Sequence, residues 1–283
     1  MQVEVNGTRL FFDVEGASLV PDGPRMREKP TLLLLHGGPG FDHSLFKPFF
    51  SSLADIAQVI YLDHRGNGRS APSAPESWNL AQWGDDVKAF CDVLGIQRPF
   101  VFGGSFGGFV AQSYATRYPG HPGKLILAST AARIEFDAIF AAFERLGGAP
   151  ARDTARDYWT EPTLARRRRY FETCLPLYRR SPAQDPDAAR RAIIRDDVAL
   201  WFNGTRNEHG RMDFRAALSR VRCPVLILAG EEDPIAPIPF SEAIAASLPP
   251  ELVRFERFPD CGHGVQFDAP DRTIQVLREF IIA

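Results

Sequence analysis

The chain contains a serine whose surroundings would make its hydroxyl group a nucleophile. Ser105 lies in the sequence GGSFGG (residues 103–108), which follows the apolar run Phe100–Phe102 and precedes the helical run Phe109–Tyr118. Glycines two residues before and after the serine leave room for a tight strand-to-helix turn that exposes the hydroxyl. We therefore predict that Ser105 is a catalytic nucleophile. The alternative is that these glycines form a turn with a purely structural role.

A serine hydroxyl is a weak nucleophile near neutral pH, so this hypothesis requires a base and a group that orients the base. His263 follows the last predicted strand and precedes the last predicted helix, and we predict it as the general base. The orienting carboxylate should follow an earlier strand; in GEEDP (residues 230–234) we predict Asp233, with Glu232 as its rival. The chain order Ser, Asp, His is the one expected of such a site. Four other histidines are predicted to be ordinary surface side chains: His43, His64, His121 and His209.

A second glycine-rich sequence, HGGPG (residues 36–40), follows the predicted strand Thr31–Leu35. Acyl transfer develops a negatively charged oxygen, and each preorganised amide N–H that binds it contributes roughly 10²- to 10³-fold in rate. We predict that Gly38 and Phe106 supply these two amides, since Phe106 begins the helix after the serine and a helix N-terminus favours negative charge. A plain Gly/Pro turn is the alternative for residues 36–40.

The elements that must position these residues alternate between short apolar strands and longer helical segments. Short runs that are apolar throughout are typical of strands buried on both faces, so the pattern indicates an α/β fold with a mostly parallel central sheet flanked by helices. A hairpin is predicted at Asn6-Gly7, and Ala17–Pro30 is predicted to be a surface loop. The predicted strands are Gln2–Val5, Arg9–Glu15, Thr31–Leu35, Val59–Leu62, Phe100–Gly103, Lys124–Ala128, Val225–Ala229 and Leu252–Phe258, and the predicted helices are Leu45–Leu53, Leu80–Leu94, Phe106–Tyr118, Phe240–Ser247 and Asp271–Ile281.

The alternation of strands and helices stops between residues 131 and 222. This segment has no clear strand and consists of short helical stretches separated by Gly- and Pro-containing breaks. We predict that residues 131–222 form a helical cap inserted between two parts of an α/β core, residues 1–130 and residues 223–283. The cap is also the more basic part, with 14 arginines against 10 acidic residues between Pro150 and Arg215.

The composition limits the classes of function. The 283 residues carry a net charge of −2, which argues against a nucleic-acid partner, and no apolar run approaches the ~18 residues of a membrane helix. Four scattered cysteines predict neither a disulfide framework nor a metal site, and the N-terminus shows no export signal. We predict a cytoplasmic protein that acts on a small molecule or a short peptide, without nucleic acid or membrane as partner. The sequence leaves a homo-oligomer open.

Five motifs of the chain carry a resemblance to a known family: HGGPG (residues 36–40), DHRGNGRS (63–70), GGSFGG (103–108), GEEDP (230–234) and Gly262-His263. Together they resemble the α/β-hydrolase superfamily, most closely its proline iminopeptidase-like branch. The resemblance covers the two core segments and extends to the cap only in position. It implies a Ser-His-Asp triad, an acyl-enzyme intermediate and no metal or organic cofactor. Residues 63–70 match a turn with mainly structural charges, although His64 could face the site.

The sequence departs from the iminopeptidase pattern where such enzymes select their substrate. They typically carry Trp after the nucleophile, where this chain has Phe106, and a Trp-Glu pair in the cap, where it has Trp201-Phe202. Pro234 stands where a glutamate can follow the triad acid. Since a buried ammonium group needs a partner, Glu208 and Asp213 are the remaining cap candidates for binding a free amino group.

The sequence therefore predicts a serine hydrolase that cleaves an ester, lactone or amide of a small, largely apolar substrate. A proline iminopeptidase that releases N-terminal proline from peptides is the alternative, and a non-catalytic small-ligand-binding relative or an enzyme of acyl transfer or C–C cleavage are lesser ones. Aromatic side chains predicted to line the substrate pocket, or otherwise to pack the cap on the core, are Phe41, Phe140, Trp201 and Phe202.

Overall fold

A computed structural model of the chain describes residues 1–182, 185 and 187–283. The strands within them are β1 (Gln2–Val5), β2 (Thr8–Glu15), β3 (Leu19–Asp22), β4 (Arg25–Glu28), β5 (Thr31–Leu35), β6 (Gln58–Leu62), β7 (Phe100–Gly104), β8 (Lys124–Ala128), β9 (Val225–Gly230) and β10 (Val253–Phe258). Eight of these form one sheet in the order β1-β2-β6-β5-β7-β8-β9-β10, and a separate hairpin pairs β3 with β4.

The six strands from β6 to β10 in this order are parallel, and β1 and β2 join them antiparallel at one edge. All six residues of β9 and the last four of β5 are buried, because apolar side chains cover both faces of the sheet. Parallel strands all end at the same edge of the sheet. The predicted α/β class with a mostly parallel sheet is confirmed, and the motifs that follow β5, β7, β9 and β10 share that edge.

Helices cover the sheet and fill the interval between β8 and β9. They are α1 (Leu80–Val93), α2 (Phe106–Arg117), α3 (Phe136–Thr160), α4 (Leu164–Thr173), α5 (Ala188–Arg191), α6 (Asp196–Leu200), α7 (Glu208–Arg211), α8 (Arg215–Leu218), α9 (Ile238–Ser247), α10 (Val265–Asp268) and α11 (Pro270–Ile282). None of the described helices is both long and apolar enough to cross a membrane.

Two sequence predictions about local structure are wrong. The segment predicted as a helix at Leu45–Leu53 forms two short 3-10 turns, His43–Phe46 and Phe49–Leu53, because Pro48 between them lacks the N–H that a continuous helix needs. The segment predicted as a loop at Ala17–Pro30 contains the β3–β4 hairpin, whose mostly exposed side chains lack the apolar alternation of a buried strand.

Residues 131–222 carry helices α3 to α8, and three of these residues (183, 184 and 186) lie outside the described chain. One of the predicted Gly- and Pro-containing breaks, the sequence GGAP at residues 147–150, is a kink inside α3, where Gly148 has φ +70°. In the described part, one isolated bridge pairs Arg133 with Asp213 across the base of this segment. We call residues 131–222 the inserted helical segment.

A close approach between α2 and β5 brings the two glycine-rich motifs together, and it depends on Gly107. A Cβ atom at Gly107 would overlap the carbonyl oxygens of Leu35 and His36. We expect Gly107→Ala to lower the free energy of unfolding by about 3 kcal/mol, because the backbone of β5 has no room to retreat. Urea unfolding measures this difference. Gly120→Ala is the matched control, since a Cβ there meets no atom within 4 Å; equal stability of the two variants would contradict the prediction.

Candidate active site

Ser105 occupies the sharp turn between β7 and α2, with φ +54° and ψ −120°. A non-glycine residue at positive φ is strained, so the surroundings must hold it. Its N–H donates to the carbonyl oxygen of Ala128 at 2.9 Å, and its own carbonyl accepts from the Gly108 N–H and the Thr130 hydroxyl. The backbone is thus fixed on both sides of the residue, while the side chain is left half-buried.

The imidazole of His263 is hydrogen-bonded to the carboxylate of Asp233. Nδ1 lies 2.8 Å from Oδ2 and 3.0 Å from Oδ1, and the carboxylate itself is buried. Oδ1 also accepts the backbone N–H groups of Ile235 and Ala236, each at 2.8 Å, which fixes the carboxylate's orientation. Because an ionised carboxylate only accepts, Nδ1 carries the proton and Nε2 is left with a free lone pair. Glu232, the rival of Asp233, instead pairs with Arg145.

Two contacts bring the loop of His263 to the serine turn, although β10 lies three strands from β7. The N–H of Gly264 donates to the hydroxyl of Ser129 at 2.9 Å. Ser129 directly follows Ala128, whose carbonyl holds the N–H of Ser105. In the described residues the Ser105 hydroxyl makes no hydrogen bond to His263, whose ring bonds Asp233.

Two backbone amides next to the serine have no acceptor among the described residues. Phe106 is the first residue of α2, so its N–H lacks a partner within the helix. Gly38 has φ +132°, a conformation that favours glycine, and a Cβ at its neighbour Gly37 would lie 3.5 Å from the Ser105 Cβ. Neither Gly38 nor Phe106 donates a backbone hydrogen bond to any described residue. These are the two amides that the sequence analysis predicts to bind an oxyanion.

The glycine turn is held by a neutral histidine. His36 is buried, and its Nε2 lies 3.2 Å from the backbone nitrogen of His64, whose N–H can only donate to it. Nδ1 must therefore carry the proton, and it donates to the carbonyl oxygen of Gly37 at 2.7 Å. Burial lowers the pKa of His36 and keeps the ring uncharged. His36 thereby fixes the peptide group between Gly37 and Gly38.

The prediction that four histidines are ordinary surface side chains is wrong for three of them. His43 is buried and lies 2.7 Å from Asp63, while burial and the neighbouring His36 lower the pKa of His64 well below its usual value. Burial lowers the pKa of His209 to about 3. Each of the three packs against the ring of a phenylalanine that is distant in the sequence. His121 is half-buried and bonds the Tyr114 hydroxyl.

His43 and Asp63 form a second His–Asp pair, and the fold separates it from the serine. The ring of His43 stacks on Phe11 at 5.7 Å, and Phe11 belongs to β2. β2 lies three strands from β7 in the sheet. In the described chain neither His43 nor Asp63 makes a hydrogen bond to Ser105, although the ring of His64, next to Asp63, lies 5.5 Å from that of Phe106. Asp63 also accepts the Arg69 N–H at 2.8 Å, so this pair supports the turn at residues 63–70.

The predicted pocket residues have different surroundings. Phe202 is fully buried, 5.3 Å between ring centroids from Phe106, and so reaches the serine turn. Phe41 lies 6.1 Å from Phe171, and Phe140 stacks on Phe136 at 6.1 Å. Trp201 is half-buried, and its indole N–H has no hydrogen-bond partner in the described chain.

Sequence reasoning missed Tyr178 and Ser129, which contact the loop of the predicted base His263 (the base loop, residues 259–264). The ring of Tyr178 lies 5.1 Å from the His263 ring, and its carbonyl accepts the His263 N–H at 2.6 Å. No motif marks Tyr178. Ser129 could have been found, because it follows β8 just as the predicted acid follows β9.

As for metals, the described side chains contain no group of three or more His, Cys, Asp or Glu arranged to hold an ion.

Comparisons with known proteins agree with this arrangement of elements. A family model described as alpha/beta hydrolase fold matches residues 30–270. The chain is 28% identical over 291 residues to the proline iminopeptidase PfmaB of Pestalotiopsis fici, covering 99% of this chain and 98% of that protein. It is 27% identical over 280 residues to RutD of Caulobacter sp., named as a carbamate hydrolase, and the match covers 96% of this chain and 95% of that protein. An esterase from Exiguobacterium antarcticum superposes with a TM-score of 0.74 at 18% identity, covering 99% and 97% of the two chains, a likeness of fold.

Proposed function

The chain belongs to the α/β-hydrolase family and is a hydrolase, and we propose that it cleaves its substrate with Ser105 as nucleophile, His263 as general base and Asp233 as orienting acid. The observation that carries this proposal is the hydrogen bond of 2.8 Å between His263 Nδ1 and Asp233 Oδ2, in a loop tied to the serine turn through Ser129. It leaves Nε2 as the basic nitrogen that a serine nucleophile needs.

The reaction proceeds through an acyl-enzyme. The Ser105 oxygen attacks the substrate carbonyl carbon while His263 Nε2 takes the hydroxyl proton, and Asp233 stabilises the imidazolium that forms. The N–H groups of Gly38 and Phe106 bind the carbonyl oxygen as it becomes negative. His263 then protonates the leaving group as its bond to carbon breaks. Water attacks the acyl-enzyme, gives its proton to His263, and the acid leaves as Ser105 recovers a proton. The proposed steps use no metal or organic cofactor.

We infer that the substrate is a neutral ester, lactone or amide. The carboxylates that could bind a free amino group from the inserted helical segment have other partners. Glu208 accepts the Leu80 N–H and lies 3.8 Å from Arg211, and Asp213 pairs with Arg215. Between them, buried His209 is neutral and lies among aromatic rings. An ammonium group among these residues would lack a counter-charge, which is costly when water is excluded.

Proline iminopeptidase activity is the second candidate, favoured by the relative that carries this name at 28% identity. An enzyme of that kind must recognise the free amine of an N-terminal proline. In this chain Phe202 is buried against Phe106, at the position where the iminopeptidase pattern has an acid, and supplies no charge.

The two candidates differ in how they respond to a blocked amine. We expect kcat/KM for a short-chain aryl ester to exceed that for prolyl p-nitroanilide by roughly 100-fold or more, because Glu208 and Asp213 already have partners and leave the ammonium group without a counter-charge. N-acetylprolyl p-nitroanilide should be cleaved no more slowly than the free amine. Steady-state kinetics on the purified protein measures both ratios.

Preference for the free prolyl amide, with loss of turnover on acetylation, would replace the esterase proposal by iminopeptidase activity. A folded protein that hydrolyses none of these compounds and is not phosphonylated by a fluorophosphonate would contradict the serine mechanism itself.

A further inference from the structure

Asp268 connects the base loop to the inserted helical segment. It ends α10, five residues after His263. Its Oδ2 accepts the N–H of Gly262, the residue before the base, at 2.8 Å. Its Oδ1 accepts the N–H groups of Arg180 and Ser181 at 3.0 and 2.8 Å. One carboxylate therefore holds three backbone N–H groups from two segments that are far apart in the sequence.

Other contacts join the same two segments. The His263 N–H donates to the carbonyl of Tyr178, and a Cβ at Gly262 would overlap that carbonyl. The guanidinium of Arg179 lies 3.9 Å over the ring of Phe267. Residues 178–181 and 262–268 thus pack as one unit around the base, with the Asp268 carboxylate accepting from both sides.

The backbone at residue 262 determines where the imidazole of residue 263 lies. Asp233 fixes the ring at Nδ1, but a ring held at one atom still swings about that contact unless its backbone is also held. Gly264 is held by Ser129 on one side of the base, and Gly262 is held by Asp268 on the other. A displacement of about 1 Å of a catalytic group costs on the order of 10²-fold in rate.

We propose that Asp268 is a positioning residue that couples the placement of the inserted helical segment to the alignment of His263 with Ser105. The proposal rests on the proposed triad for its effect on rate. The coupling itself, between residues 178–181 and 262–264, does not depend on the triad. A shift of residues 178–181 would then move the backbone that carries the base.

Asp268→Asn tests the proposal with little change in shape. The amide of asparagine has one accepting oxygen and one donating NH₂ group. The NH₂ group must therefore face either the N–H of Gly262 or those of Arg180 and Ser181, and none of these N–H groups can accept a hydrogen bond. We expect kcat and the rate of phosphonylation by a fluorophosphonate to fall by roughly 10- to 100-fold, with KM changed by less than about threefold. Hydrogen exchange measured by mass spectrometry should speed up in residues 178–181 and 262–264 together.

Asp271→Asn is the matched control. It removes the same charge from the exposed first turn of α11, where the carboxylate of Asp271 makes no hydrogen bond to any described residue. This variant should keep wild-type rates and wild-type exchange.

The outcomes separate the coupling from the proposed function. Faster exchange in only one of the two segments, or a raised KM with unchanged phosphonylation, would overturn the positioning role, as would unchanged rates with a lower melting temperature. A wild-type protein that reacts with neither esters nor the probe would defeat the triad proposal, and the paired change in exchange would still decide whether Asp268 links the segments.

Discussion

Ser105→Ala is expected to lower kcat/KM for an aryl ester by roughly 10⁵-fold or more, the range in which loss of a serine nucleophile removes the acyl-enzyme route. Alanine fits the turn, because the hydrogen bonds that hold the strained backbone at φ +54° do not involve the side chain: the residue's N–H donates to the Ala128 carbonyl, and its carbonyl accepts from Gly108 and Thr130. Folding should therefore be preserved. Steady-state hydrolysis measures the loss, and intact-mass analysis after fluorophosphonate treatment should show one adduct on the wild type and none on the variant.

Ser113→Ala is a suitable control on the same helix. Its buried hydroxyl donates to the Leu80 carbonyl at 2.7 Å, so the change costs about 1 kcal/mol of stability while leaving the serine turn intact. Ser113→Ala should retain activity within a few-fold and should still be phosphonylated. If Ser105→Ala keeps more than a tenth of wild-type turnover, the nucleophile lies elsewhere.

The α/β fold could be predicted because the strands carry their own signal. Runs such as Val225–Ala229 are apolar at every position, which distinguishes a strand covered on both faces from one exposed on one face, and β9 is buried throughout. The Asn6-Gly7 hairpin likewise follows from local chemistry, since both residues adopt positive φ. One error falls at residues 17–30, where the mostly exposed side chains of the hairpin show no apolar alternation, and the other at residues 45–53, where Pro48 divides the predicted helix.

The candidate site was predictable only where a residue follows a strand at the shared edge of the sheet. Ser105, Asp233 and His263 all satisfy that rule, and the structure brings Asp233 to His263 and their loop to the serine turn. Tyr178 and Asp268 could not be found this way, because their contacts arise where an inserted segment packs on the core. Burial of His209 among aromatic rings likewise depends on tertiary packing that no local pattern reports.

Asp233→Asn is expected to lower kcat by roughly 10⁴-fold while leaving the fold intact, as loss of the correct imidazole tautomer does in a serine triad. The structure fixes how the amide must lie. Oδ1 accepts two backbone N–H groups, from Ile235 and Ala236, so the asparagine oxygen keeps that position and the NH₂ group faces His263. Nδ1 then accepts instead of donating, and the proton moves to Nε2, which can no longer take the hydroxyl proton of Ser105.

Pre-steady-state phosphonylation measures this effect on the chemical step alone, since the probe reacts at the serine without a second turnover. Glu232→Gln is the matched control on the neighbouring residue: its carboxylate pairs with Arg145 and does not contact the base, so its rates should stay within about twofold of wild type. If Glu232→Gln instead shows the large fall in phosphonylation rate, the acid of the triad is Glu232 and not Asp233. If both variants react at wild-type rate, His263 is not the base, because its tautomer would then have no bearing on the reactivity of Ser105.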